Sequence, residues 1–259
     1  MEARRASLAG MIDLILIFIA GFLGGLLNAV AGGGTFITFP TLVFVGLPEI
    51  AANATSTVAA LPGYLSAAIG FRKDIADFDR RLLIRLTLWT MLGSAIGSGL
   101  LLVSSNAAFA ALVPVLLLGA TLVFLKGAQI REWAARQRGA VAAYGAGTMV
   151  PVAIYGGYFN GGLGIVLLAL FAMWGMTNLH AMNGLKCWLS FALSLVSLAI
   201  FAWGGKIDWS LALIMSIGTI LGGLAGAPIA RRIPVPVLRG LIAAVGFTMT
   251  AVFLSRLLF

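Results

Sequence analysis

Residues 24–35 read Gly-Gly-Leu-Leu-Asn-Ala-Val-Ala-Gly-Gly-Gly-Thr, and residues 156–164 read Gly-Gly-Tyr-Phe-Asn-Gly-Gly-Leu-Gly. The pattern Gly-Gly-x-x-Asn-x-x-x-Gly thus occurs twice in one very apolar chain. Neither copy suits an unbroken helix facing lipid. Backbone groups freed by a break find no water in hydrocarbon, so they must be satisfied inside protein or in a wet cavity. Two glycine-interrupted segments at matching positions of two halves are the best pointer a sequence offers to a transporter's binding site.

The repeat extends beyond the glycines. A shift of 129 residues pairs Gly46 with Gly175, Ala52 with Ala181, Gly93 with Gly222 and Gly97 with Gly226. The same shift lays Thr121, Val123, Phe124 and Leu125 on Thr250, Val252, Phe253 and Leu254. Asn28 and Asn160 need a shift of 132, so the halves differ by three residues near the glycine segment. These matches predict a duplicated chain, with an N-terminal repeat over 1–130 and a C-terminal repeat over 131–259 in a single membrane domain.

Composition sets the class. Of 259 residues, 61% are hydrophobic and 10% charged, and mean hydropathy is +1.07. That profile belongs to a polytopic helical membrane protein. Apolar runs continue from Met11 to the C-terminus, so the first reads as a retained span rather than a cleaved signal. The single cysteine, Cys187, excludes an internal disulfide. A net charge of +9 would suggest nucleic acid in a soluble protein. Here the cations sit in short loops between apolar runs, which is the signature of membrane orientation, and no nucleic-acid partner is expected.

Ten apolar stretches fall near 11–31, 35–47, 52–71, 82–103, 108–126, 141–159, 163–175, 181–203, 208–230 and 237–258. Helical throughout, residues 11–47 would extend about 55 Å, against a hydrocarbon core of about 30 Å. One pass cannot hold them. A hairpin whose limbs meet near the glycines, re-entrant or spanning, returns the chain to its starting side. Three further passes follow in each half, so the second half is expected to be inverted. On that arrangement twelve of the 17 cations share one face, in the segments 72–85, 126–138 and 231–239. The other face has Arg4, Arg5, Lys206 and Arg256. The rich face is then cytoplasmic and both termini external, with 126–139 a basic connecting loop. A single crossing of each glycine segment fits the charges equally well; the length argument separates the two.

Site candidates follow from the breaks. Helices starting at Thr35 and near Leu163 inside the membrane would aim free N–H groups and positive dipole ends at its interior. Such ends bind anions. Gly33, Gly34, Thr35, Gly162 and Gly164 are therefore candidate ligands, with Asn28 and Asn160 as amide donors and the anion expected between the two hairpins. The alternative is that these glycines only allow close packing or a kink. Lys186 lies deep in 181–203 with no acid nearby, and an intramembrane cation is a functional candidate by default. Snorkelling or a structural pairing is the competing reading. Asn53, Thr55, Ser56 and Thr57 form a polar cluster in which Thr57 matches Lys186; they either ligate anion oxygens or bond helices together. His180 reads as a surface or capping residue, and the Gly93/Gly97 and Gly218/Gly222/Gly226 ladders as helix contacts.

Other classes lack their parts. One histidine, one cysteine and one deep acid, Asp13, supply neither a metal site nor a nucleophile with its base. There is no nucleophile elbow or phosphate-binding loop, so an enzyme is not expected and no cofactor is read. A channel lined by backbone and hydroxyls stays open as an alternative.

The run 21–35, followed by Pro40, Gly46 and Ala-Asn-Ala-Thr-Ser-Thr at 52–57, resembles the TauE/SafE sulfite exporter-like family, also grouped as toluene sulfonate uptake permeases. The second half agrees through Lys186, Phe201, Gly-Gly-Lys-Ile-Asp-Trp at 204–209 and the glycine ladder to Ala227. The resemblance covers nearly the whole chain. It implies a secondary transporter of the bacterial inner membrane, with small sulfur-containing anions such as sulfite, sulfoacetate or other organosulfonates as substrates. Export is the expected direction, uptake the alternative. Membrane lipid and the anion are the expected partners, and a homodimer is left open. Many members carry asparagine three residues after this lysine; here that position is Leu189.

Overall fold

The structure, a computed structural model, describes residues 2–30, 32–76, 78–137, 142–229 and 235–258. Arg138, Arg231 and Arg232 of the charge argument lie outside the described residues, as do the side chains of Arg4, Arg5, Arg239 and Arg256. Among the described residues the chain is helical, with no strand. The first half forms α1 (Glu2–Val30), α2 (Thr35–Phe44), α3 (Glu49–Gly70), α4 (Arg80–Val103) and α5 (Asn106–Leu125). The second half forms α7 (Ala146–Tyr158), α8 (Leu163–Met173), α9 (Leu179–Trp203), α10 (Trp209–Ile229) and α11 (Val235–Leu258).

One expectation is corrected. The segment 126–139 is not a loop throughout, because Gly127–Arg136 is a helix, α6. Its Ala, Gln, Glu and Arg residues are good helix formers whatever their polarity. Low hydropathy hides such a helix from a search for apolar runs. The halves' boundary at 130 falls within it.

Local chemistry places the helix ends. Asp79 caps α4 by accepting from Arg81 N–H (2.9 Å), and Asn178 caps α9 by accepting from His180 N–H (2.9 Å) and Ala181 N–H (3.2 Å). Gly46 and Gly175, matched by the repeat, stop α2 and α8 at φ +100° and +91°. In each case the following residue's N–H reaches back five positions, Leu47 to Leu42 O and Met176 to Phe171 O, both at 3.0 Å. That closure needs a left-handed residue, which glycine supplies without strain.

Among the described residues five helices are long and apolar enough to cross a membrane: Gly10–Ala29, Arg80–Val103, Asn106–Leu125, Leu179–Trp203 and Trp209–Gly226. By contrast α2, α7 and α8, with 10, 13 and 11 residues, extend only about 15–20 Å each and cannot cross a core of about 30 Å alone. α3 is long but polar. It is tolerated because α1, α2, α5, α9 and α10 surround it and bury nearly every residue from Ile50 to Ala60.

The halves are interlocked. α1 packs on α10 of the other half, and α7, the repeat counterpart of α1, packs on α4. Glycine makes both crossings: Gly21 and Gly25 meet the backbone of Met215 and Thr219, Gly218 and Gly222 that of Phe18 and Phe22. At the other crossing Gly93 and Gly97 meet the backbone of Val150 and Ile154. Residue numbers rise together along both crossings, so α1 runs with α10 and α4 with α7. α3 also runs with α10, through Thr55–Asp208, Ala59–Thr219 and Ser66–Ile220, and α4 with α9, through Thr87–Trp188 and Ser94–Leu193. Numbers run oppositely between α3 and α9, where Phe71 meets Gly184 and Ala67 clusters with Cys187. Counterpart helices α1/α7, α3/α9 and α4/α10 therefore point in opposite directions.

Candidate functional site

Both glycine segments are breaks between helices. After α1, Gly32 adopts φ +81° and its N–H closes the helix on Leu27 O (2.9 Å). After α7, Asn160 and Gly162 adopt φ +62° and +71°, and α8 starts at Leu163. Gly32 and Gly164, each four residues past the repeated asparagine, lie backbone to backbone. A Cβ on Gly164 would come within 3.2 Å of Gly32 O and 3.1 Å of Lys186 Cδ. The two breaks touch, so the site expected between the hairpins is not open at Gly32 and Gly164.

The backbone donors divide into used and unused. Gly34 N–H donates to Asn28 Oδ1 (2.8 Å), so Asn28 brackets its own loop rather than only offering an amide outward. Leu163 N–H donates to Asn160 O (3.3 Å). Among the described residues the N–H groups of Gly33, Thr35, Gly162 and Gly164 have no partner. Tyr155 O–H donates to Gly161 O and pins the second break to α7.

Lys186 reaches this crossing from α9. It is fully buried, and its Nζ donates to Asn183 Oδ1 (2.8 Å) and to Ala29 O of α1 (3.4 Å). It is the only charged side chain among the buried residues described. Snorkelling is excluded by that burial. Asn160 is 1% exposed, and neither Oδ1 nor Nδ2 of its amide has a hydrogen-bond partner among the described residues. The phenol of Tyr64, from α3, stands beside it.

The polar cluster of α3 is spent mostly on joining helices. Thr55 Oγ1 accepts from Asp208 N–H (3.1 Å), and Ser56 Oγ pairs with Thr38 Oγ1 of α2 (2.7 Å). Asn53 Nδ2 donates to Tyr158 O (3.0 Å), leaving its Oδ1 without a partner. Thr57 is buried, and its hydroxyl bonds to no described residue. So the interhelical reading describes Thr55 and Ser56, while the Thr57 hydroxyl and Asn53 Oδ1 have no partner among the described residues. His180 is exposed, with its ring near Phe71, and Cys187 packs with Ala29, Ala67 and Ala68.

Sequence reasoning missed Asn183, Tyr64, Thr38 and Tyr155. Asn183 carried a usable signal, since a polar residue three positions before an intramembrane lysine shares its helix face. The others had none, because each acts across a helix interface.

Grooves among the described residues flank the bundle. One of ≈ 420 Å³ lies between α5 and the α7–α8 break, lined by Leu116, Ala120, Val123, Pro151, Tyr155 and Gly162. Another, ≈ 280 Å³, lies between α2 and α11 against Pro40, Phe44, Met249 and Phe253. Both linings are apolar and suit lipid or packing rather than an anion. The polar groups at the crossing are buried.

Residues 17–253 match the family described as Sulfite exporter TauE/SafE. A probable membrane transporter protein of Haemophilus influenzae is 31% identical over 93% of this chain and 94% of its own length. The probable membrane transporter proteins ORF9 of Sinorhizobium and YfcA of Escherichia coli K12 are 25% and 28% identical, each over 91% of this chain and over 90% and 87% of their own lengths. No solved structure matches the chain. With a match over nearly its whole length, several helices apolar enough to span and a buried polar crossing at their centre, this chain belongs to the TauE/SafE sulfite exporter family and is a multi-pass membrane transporter.

Proposed function

We propose that this transporter moves a small sulfur oxyanion, sulfite or an organosulfonate such as sulfoacetate, outward across the bacterial inner membrane. The anion is held beside the Gly32–Gly164 crossing by the N–H groups of Gly33, Thr35, Gly162 and Gly164, by the Asn160 amide and by the ammonium of Lys186, with Thr57 as a hydroxyl partner. The single observation that carries this reading is the convergence of two helix breaks and one buried, acid-free lysine at the same point. Free N–H groups at helix starts and a cation make an anion site, and burial strengthens each bond. Export follows the description of the matched family.

Alternating access suits this architecture. Counterpart helices run oppositely, which supports two halves of inverted topology exchanging roles as the site opens to one face and then the other. On that scheme both termini are periplasmic. Accessibility of tags at each terminus tests it, and a cytoplasmic C-terminus would sink the inverted arrangement.

The transport test is reconstitution into liposomes with labelled sulfite, sulfate, sulfoacetate, taurine and acetate under imposed ion gradients. Saturable flux of a sulfur anion is the expected result. No saturable flux of any anion would end the carrier reading, and flux that never saturates would point to a channel.

A further inference from the structure

We infer that the site is fitted to a singly charged oxyanion, and that Asn160 rather than its repeat counterpart Asn28 is the side chain that reads it. This rests on the carrier reading above and narrows its substrate to hydrogensulfite or a simple monosulfonate; sulfoacetate, with a carboxylate beside its sulfonate, is a dianion and falls outside it.

Charge carries the first part. Lys186 is the only charged residue among the buried ones described, and its Nζ hydrogens go to two neutral oxygens, Asn183 Oδ1 and Ala29 O. An ammonium has three donors, so one is left for a ligand. A monoanion placed there makes a neutral buried pair. A dianion leaves one unpaired negative charge in a low-dielectric interior, where an isolated charge is very costly.

The amides carry the second part. Asn28 and Asn160 occupy equivalent places, yet the structure gives them different work. Asn28 Oδ1 is occupied by Gly34 N–H. Asn160 is 1% exposed with both amide atoms unpartnered among the described residues, and its backbone is held at φ +62°. Buried polar side chains are nearly always bonded, so an orphan amide calls for an occupant. A bound oxyanion supplies an acceptor for Nδ2, and the Tyr64 phenol stands beside the same amide. Two and four residues on, Gly162 and Gly164 lie at the N-terminal end of α8. The site is thus lopsided: its one charge, and the one repeated asparagine with neither amide atom bonded among the described residues, both come from the second half.

The test is exchange of labelled sulfite by the full chain in liposomes, with two competitors that present similar oxyanion faces. Methanesulfonate is a fixed monoanion and sulfate a fixed dianion. Methanesulfonate is expected to compete at least about tenfold better, the ratio one lost charge-assisted bond would give. Equal or better competition by sulfate overturns the valence inference while leaving the carrier reading intact. No exchange of any anion overturns the carrier reading and this inference with it. Thr57→Lys, which places a second ammonium at the counterpart of Lys186, is expected to admit sulfate; a monodisperse variant that still excludes it counts against the charge argument. Asn160→Ala should weaken methanesulfonate competition by roughly tenfold or more, and Asn28→Ala by much less. The reverse order, in variants that elute as folded protein, overturns the assignment of Asn160.

Discussion

Replacing Gly164 and Gly32 by alanine, singly and together, probes the crossing on which the site depends. At Gly164 the added methyl meets the Gly32 backbone, with Gly32 O at 3.2 Å and Lys186 Cδ at 3.1 Å. Gly164 does not occupy the left-handed region, so the whole cost is overpacking, about 1–3 kcal/mol. At Gly32 the methyl meets the Gly164 backbone and must also adopt φ +81°. A left-handed alanine adds about 1–2 kcal/mol, making roughly 2–5 kcal/mol in all. That is a large share of a typical stability of about 5–15 kcal/mol. Because each methyl pushes apart the same two backbones, the second should cost less once the first is present, with a coupling of about 0.5 kcal/mol or more. Thermal unfolding in detergent, followed by the loss of the monodisperse peak, gives the order wild type, Gly164→Ala, Gly32→Ala. Gly164→Ala should also raise the KM for the anion, since its methyl displaces the lysine stem. Wild-type stability and KM in both single variants would refute the close crossing, and strict additivity would refute the direct contact.

Lys186→Met keeps length and apolar packing while removing the charge, and should weaken anion binding roughly ten- to a hundredfold; wild-type affinity in well-folded protein would remove this residue from the site. Asn28→Ala leaves the Gly34 N–H buried without its acceptor and should lower stability by about 1–3 kcal/mol, read as a lower unfolding temperature. An unchanged melting curve would show that the bracket contributes nothing. Ser197 sits between Ser94 (3.1 Å) and Ser98 (2.8 Å), whose own hydroxyls already donate to Leu193 O and Gly157 O. Ser197→Ala should therefore cost no more than about 1 kcal/mol and leave transport intact; a large loss of transport would mark this serine cluster as functional.

Much of the fold is legible along the chain because helix formation and membrane burial are local. Each of the ten apolar stretches became a helix, nine of them within about five residues of the expected ends, while α1 begins nine residues early at Glu2. The glycine ladders announced crossings, since only a missing side chain allows backbones to touch there. α6 was hidden because its residues favour helix without favouring lipid. The site was legible in outline only. Lys186, Asn160 and the glycine breaks do converge, but nothing local distinguishes Asn28 from Asn160 or Thr57 from Thr55.

The order of apolar runs and the doubled glycine motif determined that this is a helical membrane protein with a broken segment at each copy of the motif. Both properties arise from residues close in sequence, through hydropathy and backbone freedom. Which polar groups remain free was decided only by tertiary packing. Thr55 is satisfied by a backbone 153 positions away and Lys186 by one 157 positions away. A hydrogen bond consumes a donor wherever its acceptor comes from, so the unused groups that make a site emerge only after every distant partner has been placed.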